Sequence, residues 1–533
     1  MSRGIDIHKR ATMLTLFWSV CTILYSNIIF KPSANDSILR KISLPLIEIH
    51  TTNGQEPTGT HVIAPDGLWG IGLKDNEYVG GHMRISLGDS TLYTGGMQIR
   101  LRGNTSSYYG DKKTYKIKLT KKTDLLFREE PQYEDKDWVL LRVYEGYPIR
   151  LLVGQMVGQI VGLGWHPQWK YVNLVINGDY KGDYILIESV EREKGRINID
   201  ATGYLIEDDA YWWNEDIYFK GGILAQQTGY TFKYPKAENI TDSILSNIKD
   251  YILAFEDALT NDEDISSYID IESFAAWLLA QDILGQEDSG GTNRYLYKQN
   301  YNPKRPTESR LKMGPLWDFD GTFGFINDWS AIHNRTYSFY FTKLLERQDF
   351  YTCYVNLWQT LRESLHKEIS YQLTTIDCEK GEAINTSRRL DILRWEPDAT
   401  TFPLSTYIYE ANNWLEKRIN WIDEQLLTQY QIQFVIDGEI YHTDSLIFRE
   451  NITYPSVPDK EGYVFSGWDQ TIDIMPAEDL TISASYITNT IKSTTSDNEV
   501  SLTFDLMGRR YFPQQRLSKG IYIINGEKII ICH

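Results

Sequence analysis

The chain reads as an α+β protein with a β-rich N-terminal part, a helical C-terminal part and small all-β modules beyond it. Three observations predict this. Residues 44–102 are dense in β-branched residues and glycines, with turn signals at Thr52-Asn53-Gly54, Pro65-Asp66-Gly67 and Gly80-Gly81, the pattern of antiparallel strands. Beyond Gly203 the apolar residues recur at helical spacing: Leu245, Ile248, Ile252, Phe255 and Leu259 form one stripe, and Ile271, Phe274, Trp277 and Leu278 another. From Tyr430 onward, short segments at 430–438, 462–468 and 480–486 return to strand-like composition.

A length of 533 residues predicts three or so domains, and 42% hydrophobic residues predict a globular core. The net charge of −18 excludes a protein that grips nucleic acid by broad phosphate neutralisation, so any basic site must be local. Aromatics reach 13%, with 36 Tyr and 15 Trp, a bias common in extracellular and carbohydrate-facing proteins. At the N-terminus, Arg3, His8, Lys9 and Arg10 precede an apolar run over 13–30, which fits a signal peptide or signal anchor and predicts export. Trp18-Ser19-Val20-Cys21 faintly resembles a lipoprotein cysteine, so cleaved, anchored and lipidated forms stay open. Of the four cysteines, Cys353 and Cys378 are left as a candidate disulfide, and no spacing suits zinc.

Within the β-rich part, residues 112–119 read as a strand with a basic face. Tyr115, Ile117 and Leu119 point one way, while Lys116 and Lys118 point the other. Such a face either grips phosphates or is a solvated edge defended by lysine. Residues 147–164 turn helical, with Arg150 near the start, and a hairpin over 169–188 turns at Asn177-Gly178-Asp179. Its second strand ends in Glu188, which either pairs with a strand lysine, as in protein kinases, or is a strand-end surface acid.

The stretch Gly314-Pro315-Leu316-Trp317-Asp318-Phe319-Asp320-Gly321-Thr322-Phe323-Gly324 carries the clearest chemistry. Were residues 316–320 a strand, Asp318 and Asp320 would share one face, their backbones roughly 7 Å apart, with Trp317 and Phe319 on the other. Two such carboxylates suit Mg²⁺ and phosphoryl transfer. A structural Ca²⁺ site, a glycosidase acid pair or a loop held by backbone hydrogen bonds fits the same string. Upstream, a helix runs into an acidic, glycine-containing loop with Asp288 and Asn293, then a short strand. Protein kinases use the same order for their catalytic Asp, metal-binding Asn and metal Asp, although the kinase His-Arg-Asp and glycine-loop strings are absent here.

Taken in order, these blocks resemble the spore-coat protein H (CotH) kinase family. The matching stretches are Leu-Arg-Gly-Asn-Thr-Ser at 101–106, the lysine-rich strand at 112–119, Arg150, the segment 177–188 ending in Glu188, Asp288 ahead of residues 293–298, residues 314–324, and the helix at 414–423. The resemblance covers roughly residues 44–426. It implies an atypical, reduced protein-kinase-like domain that phosphorylates protein Ser/Thr with ATP and Mg²⁺. Carried over by position, Asp288 is the catalytic acid, Asp318, Asp320 and Asn293 hold the metal, Arg102 and Lys118 touch the nucleotide phosphates, and Glu188 partners the lysine. Leu151 stands where the family commonly has Asn, and residues 299–309 lengthen the gap between the acids. The later segments resemble one internalin-type (Listeria-Bacteroides) repeat, a β-grasp-like module of bacterial surface proteins, and then a short C-terminal β-segment of the kind that serves as a sorting signal. The expected layout is a targeting segment at 1–35, the kinase-like domain at 36–427, the repeat at 428–487 and a linker with the β-segment at 488–533. The alternative is a catalytically inactive, kinase-like surface protein that binds glycan or protein partners.

Overall fold

Strand alternation in the N-terminal part closes a barrel. The computed structural model describes residues 36–68, 70–143, 149–222, 228–287, 293–323, 329–330, 340–488, 502–511, 516–524 and 526–531. The expected targeting segment and Asp288 lie outside the described residues. A single turn, α1 (Asp36–Leu39), leads into β1 (Leu46–Thr51), β2 (Thr60–Ile63), β3 (Ile71–Lys74), β4 (Val79–Leu87) and β5 (Ser90–Arg102). Then come a second turn, α2 (Thr105–Tyr108), β6 (Thr114–Thr123), β7 (Asp135–Arg142), helix α3 (Ile149–Ile160) and the hairpin of β8 (Trp169–Ile176) and β9 (Asp179–Glu188). The barrel order is β1-β4-β5-β6-β7-β9-β8, and β8 pairs in parallel with β1, so closure leaves no edge in this sheet. Ile49, Met83, Ile99, Ile117, Trp138 and Leu186 fill the interior. Residues of the opposite parity, such as Val139, Ile185 and Ile187, join a second core with α3 and the later helices.

Two turn expectations come out differently. Asn177 (φ 54°) and Gly178 (φ 84°) make the β8–β9 turn, as a two-residue hairpin with positive φ at both positions requires. Gly80-Gly81 lies inside β4 and is not a turn: a Cβ on Gly81 would sit 2.5 Å from the His50 carbonyl oxygen on β1, so glycine there permits close strand packing.

The helical part is built on a second sheet. Strands β10 (Tyr204–Asp209), β11 (Tyr218–Phe219) and β12 (Gly229–Tyr234) precede α4 (Asp242–Thr260) and α5 (Ile271–Leu284); β13 (Arg294–Lys298) and β14 (Leu311–Met313) follow. They form an antiparallel sheet in the order β11-β12-β10-β13-β14. Helix α5 starts on Asp270, whose side chain accepts from the Ser273 N–H, and stops at Gly285 in the left-handed region. It is buried from Phe274 to Leu284 on every side, so it is the pillar of the larger core rather than an amphipathic cover. Helices α6 (Phe341–Glu346), α7 (Gln348–Trp395) and α8 (Leu404–Leu426) complete this unit. Cys353 and Cys378 are both free, which corrects the disulfide expectation: they sit on the single helix α7, about 37 Å apart along its axis at 1.5 Å per residue.

A second compact unit begins at Tyr430. There β15 (Gln429–Ile436), β16 (Glu439–Ile447), β17 (Tyr463–Trp468) and β18 (Leu480–Thr488) order as β16-β15-β18-β17, with β15 and β18 parallel. Ile432, Phe434, Met475 and Ile482 form its small core, and Tyr454 and Trp468 pack against it. A further sheet orders β20 (Arg510–Tyr511), β19 (Thr503–Asp505), β21 (Gly520–Ile524) and β22 (Glu527–Ile531). Among the described residues no helix is long and apolar enough to cross a membrane.

Barrel and α7 are joined by a buried ionic network. The Lys112 ammonium lies 2.7 Å from Asp183 and 2.6 Å from Asp391, and Arg388 lies 2.6 Å from the other Asp391 oxygen. The Tyr171 hydroxyl also donates to Asp183. Burial pushes the Asp183 carboxyl up, but Lys112 and Arg388 outweigh this and hold it below its ordinary value. Gly182 (φ 109°) is part of the fit, since a Cβ there would lie 1.9 Å from Asp391 Oδ1. Lys112→Met leaves two buried carboxylates sharing one guanidinium and is expected to cost about 3–5 kcal/mol in urea unfolding. A loss below about 1 kcal/mol would mean the network does not join the two parts.

Candidate active site

Pairing register sorts the basic residues of β5 and β6 onto the outer barrel face. Gln98, Lys118 and Asp137 form one cross-strand row, Arg100, Lys116 and Val139 the next, and Arg102 stands opposite Thr114. Lys116 is held by Asp137 at 2.9 Å. Lys118 is exposed, and its charge helps to hold the Asp137 carboxyl down after burial has raised it and Lys116 has lowered it. The Arg102 guanidinium stacks over the Trp317 ring at 5.1 Å, which brings this face to the acidic stretch.

Residues 316–320 are not a strand. Asp318 has φ 63°, in the left-handed region that Asp tolerates better than most residues, and this breaks the extended run. The division of faces nonetheless comes out as the alternation predicts: Trp317 and Phe319 are buried, Asp318 and Asp320 exposed. Phe319 packs on α3 directly over Gly154, where a Cβ would lie 2.2 Å from its ring. The Arg150 guanidinium at the start of α3 donates to the Asp320 carbonyl. The loop is then laced to the end of α5: Gln286 donates to the Asp318 carbonyl at 2.6 Å, Glu287 N–H to Gly321 O at 3.0 Å and Phe323 N–H to Leu284 O at 3.0 Å.

Asn293 (φ 60°), at the start of β13, donates from Nδ2 to Asp318 Oδ2 at 3.1 Å. Its backbone N–H donates to Glu207 Oε1 at 3.2 Å, and the Lys233 ammonium lies 2.5 Å from Glu207 Oε2. Glu207, Thr231 and Tyr295 share a cross-strand row on one face of the second sheet, and Asp209 follows Glu207 on that face. The alternate residues Asp208 and Arg294 pair at 3.0 Å on the buried face, a structural bond.

Of the sequence-predicted residues, the fold therefore brings Asn293 and Asp318 into contact and sets Arg102 over the neighbouring Trp317. Asp320 follows in the same turn. Glu188 does not partner Lys118. It stands in the row of Ile117 and Trp138, which faces the barrel interior, whereas Lys118 faces outward. Fully buried, Glu188 is held by Arg128 at 2.7 Å and by the Gln168 N–H. Glu207, Asp209 and Lys233 went unread in the sequence. The signal was there, in an acid run Glu207-Asp208-Asp209 continuing the apolar start of a strand, and in a lysine after Thr231-Phe232. Asp135, Asp137 and Glu191 also cluster closely enough to ligate a cation. Arg196 and Lys116 already reach them, Arg196 to Glu191 and at 3.5 Å to Asp135, so protein cations balance this group. Leu163, Trp165, Ile197, Tyr297, Met313 and Pro315 line a cavity of about 300 Å³ that reaches the acidic stretch only at its first residues, Gly314 and Pro315.

Burial, and then the Glu207 charge, push the Asp209 carboxyl up to about 7. The native protein thus keeps a proton that the unfolded chain releases near pH 4, so stability falls by up to about 1.4 kcal/mol per pH unit from there to pH 7. Asp209→Asn should remove that loss, raising Tm at pH 8 and changing it little at pH 4. Parallel Tm curves for variant and wild type across this range would contradict the assignment.

No curated protein matches the chain. The family model described as CotH kinase protein matches residues 99–380, more than half of the sequence, running from β5 through the acidic loop into α7. The chain belongs to the CotH kinase family.

Proposed function

We propose that this protein transfers the γ-phosphoryl group of ATP to Ser or Thr hydroxyls of a protein, using Mg²⁺. The observation that carries the reading is the Asn293–Asp318 hydrogen bond, formed where the loop from α5 meets the acidic stretch, with Arg102 stacked alongside. The donor set fits the metal: two exposed carboxylates, Asp318 and Asp320, and the Asn293 amide oxygen are hard oxygen ligands. Mg²⁺, when bound, would neutralise charge on the transferring phosphate. The chain's own residues do the rest. Arg102 and Lys118 supply cations on the barrel face toward the nucleotide phosphates. The cavity of about 300 Å³, walled by Trp165, Tyr297 and Pro315, is of a size to seat a nucleobase. Asp288, five residues before Asn293, is assigned the acceptor hydroxyl's proton. Gln286 and Arg150 hold the loop by its backbone carbonyls, and Asn293 orients the Asp318 carboxylate.

The basic and then apolar residues 3–30 support export, with the acceptor at the cell surface or outside it. The unit after Tyr430, read as an internalin-type repeat, would hold a surface protein or glycan partner rather than take part in the transfer.

The test is isothermal titration of the purified protein with ATP, with and without Mg²⁺, beside an Asp318→Ala/Asp320→Ala double variant, together with phosphate transfer to a Ser/Thr protein. Wild type should bind ATP at least about tenfold more tightly with Mg²⁺, and the double variant should lose that gain and all transfer. Binding that ignores both Mg²⁺ and the two acids would overturn the reading.

A further inference from the structure

A phosphate-binding lysine should keep donors turned outward while an acid fixes its position. The sequence assigned these parts to Lys118 and Glu188, but the barrel places them on opposite faces. Lys233 and Glu207 satisfy both conditions. On β12, Phe232 pairs with Ile206 and Tyr234 with Leu205, so Lys233 is the extra residue of a β-bulge. Bulges re-aim a side chain, and this one delivers the Lys233 ammonium to within 2.5 Å of Glu207 Oε2. Glu207 is 7% exposed at its side chain, whereas Lys233 is 33% exposed. Among the described residues the Lys233 ammonium has no other acceptor within hydrogen-bond distance, so two of its three N–H donors remain for a ligand. Burial pulls its pKa down, but Glu207 more than offsets this, and the ammonium stays charged.

The other Glu207 oxygen accepts from the Asn293 N–H at 3.2 Å, and Asn293 in turn donates to Asp318 at 3.1 Å. One buried carboxylate thus fixes a partly exposed cation on one side and a metal-ligand carboxylate on the other.

Resting on the kinase reading above, we infer that Lys233 is a phosphate-binding residue for the nucleoside triphosphate and that Glu207 is a positioning residue coupling it, through Asn293, to the Asp318 metal ligand. Lys233 meets the oxygens of the β- or γ-phosphate, and Glu207 touches neither metal nor nucleotide.

The experiment titrates ATP and AMP, each with Mg²⁺, into wild type, Lys233→Met, Glu207→Gln, Lys118→Ala and Asp318→Asn. Lys233→Met should weaken ATP binding at least about tenfold and leave AMP binding within about twofold, because AMP lacks the β- and γ-phosphates. Glu207→Gln should raise the Mg²⁺ concentration needed for half-maximal ATP binding several-fold with AMP binding unchanged, a shift that loss of packing alone would not produce. Should Lys233→Met fail to fold, the double variant Lys233→Met/Glu207→Gln leaves no unpaired buried charge and should show the same ATP-specific loss. Wild-type ATP affinity in the Lys233 variants, or a larger loss in Lys118→Ala, overturns the inference while Asp318→Asn still loses its Mg²⁺ dependence and the kinase reading stands. A wild type that binds no ATP overturns both.

Discussion

Every strand of the barrel must serve two environments, and side-chain alternation decides which residue meets which. Ile99, Ile117 and Trp138 fill the interior. Their neighbours in sequence are pushed outward, where Val139 and Ile187 pack on helices and Arg100, Arg102, Lys116 and Lys118 remain as a basic face. Closure leaves no freedom to change this, because slipping any strand by one residue would turn its apolar set out and its charges in. The separation of Lys118 from Glu188 follows directly. Glu188 lies in the interior row and must find a cation within reach, which the partly exposed Arg128 provides.

The acidic loop depends on the same logic of mutual support. Left-handed backbone at Asp318 costs free energy, and its surroundings hold it there. Trp317 lies beneath Arg102, Phe319 fills the space left by Gly154, and Gln286 and Arg150 take two of its carbonyls. All four contacts use backbone or aromatic atoms. The backbone of the loop is therefore fixed by its neighbours, and the Asn293 amide orients the Asp318 carboxylate on the exposed side.

The sequence made the large features legible where a single period dominates. Alternation along residues 112–119 gave both the strand and its basic face, the Asn177-Gly178 pair gave the hairpin, and the stripes at 245–259 and 271–278 gave α4 and α5. Legibility failed where tertiary partners decide. Lys112 sits among the strand lysines yet is buried between Asp183 and Asp391, the second of which lies 279 residues away in sequence. Glu207 and Lys233 are separated by a bulge and two loops, and nothing local marks them as partners. The Cys353–Cys378 expectation failed because a helix of 48 residues was not read as one element.

The protein's overall charge sharpens the role of the few cations at the site. A chain of net charge −18 would repel the proposed nucleoside triphosphate at long range, but screening confines such repulsion to about 8 Å at physiological salt, so the nearest charges would govern its binding. Among those, Lys116 is largely neutralised by Asp137, while Arg102 is spread over Trp317. Lys233 is different in kind, because its acid is buried and shared: the carboxylate that holds the ammonium in place also orients Asn293 toward Asp318. Displacing Glu207 would therefore disturb Lys233 and, through Asn293, Asp318 together. Tying both to one buried carboxylate makes Lys233 and Asp318 a single geometric unit.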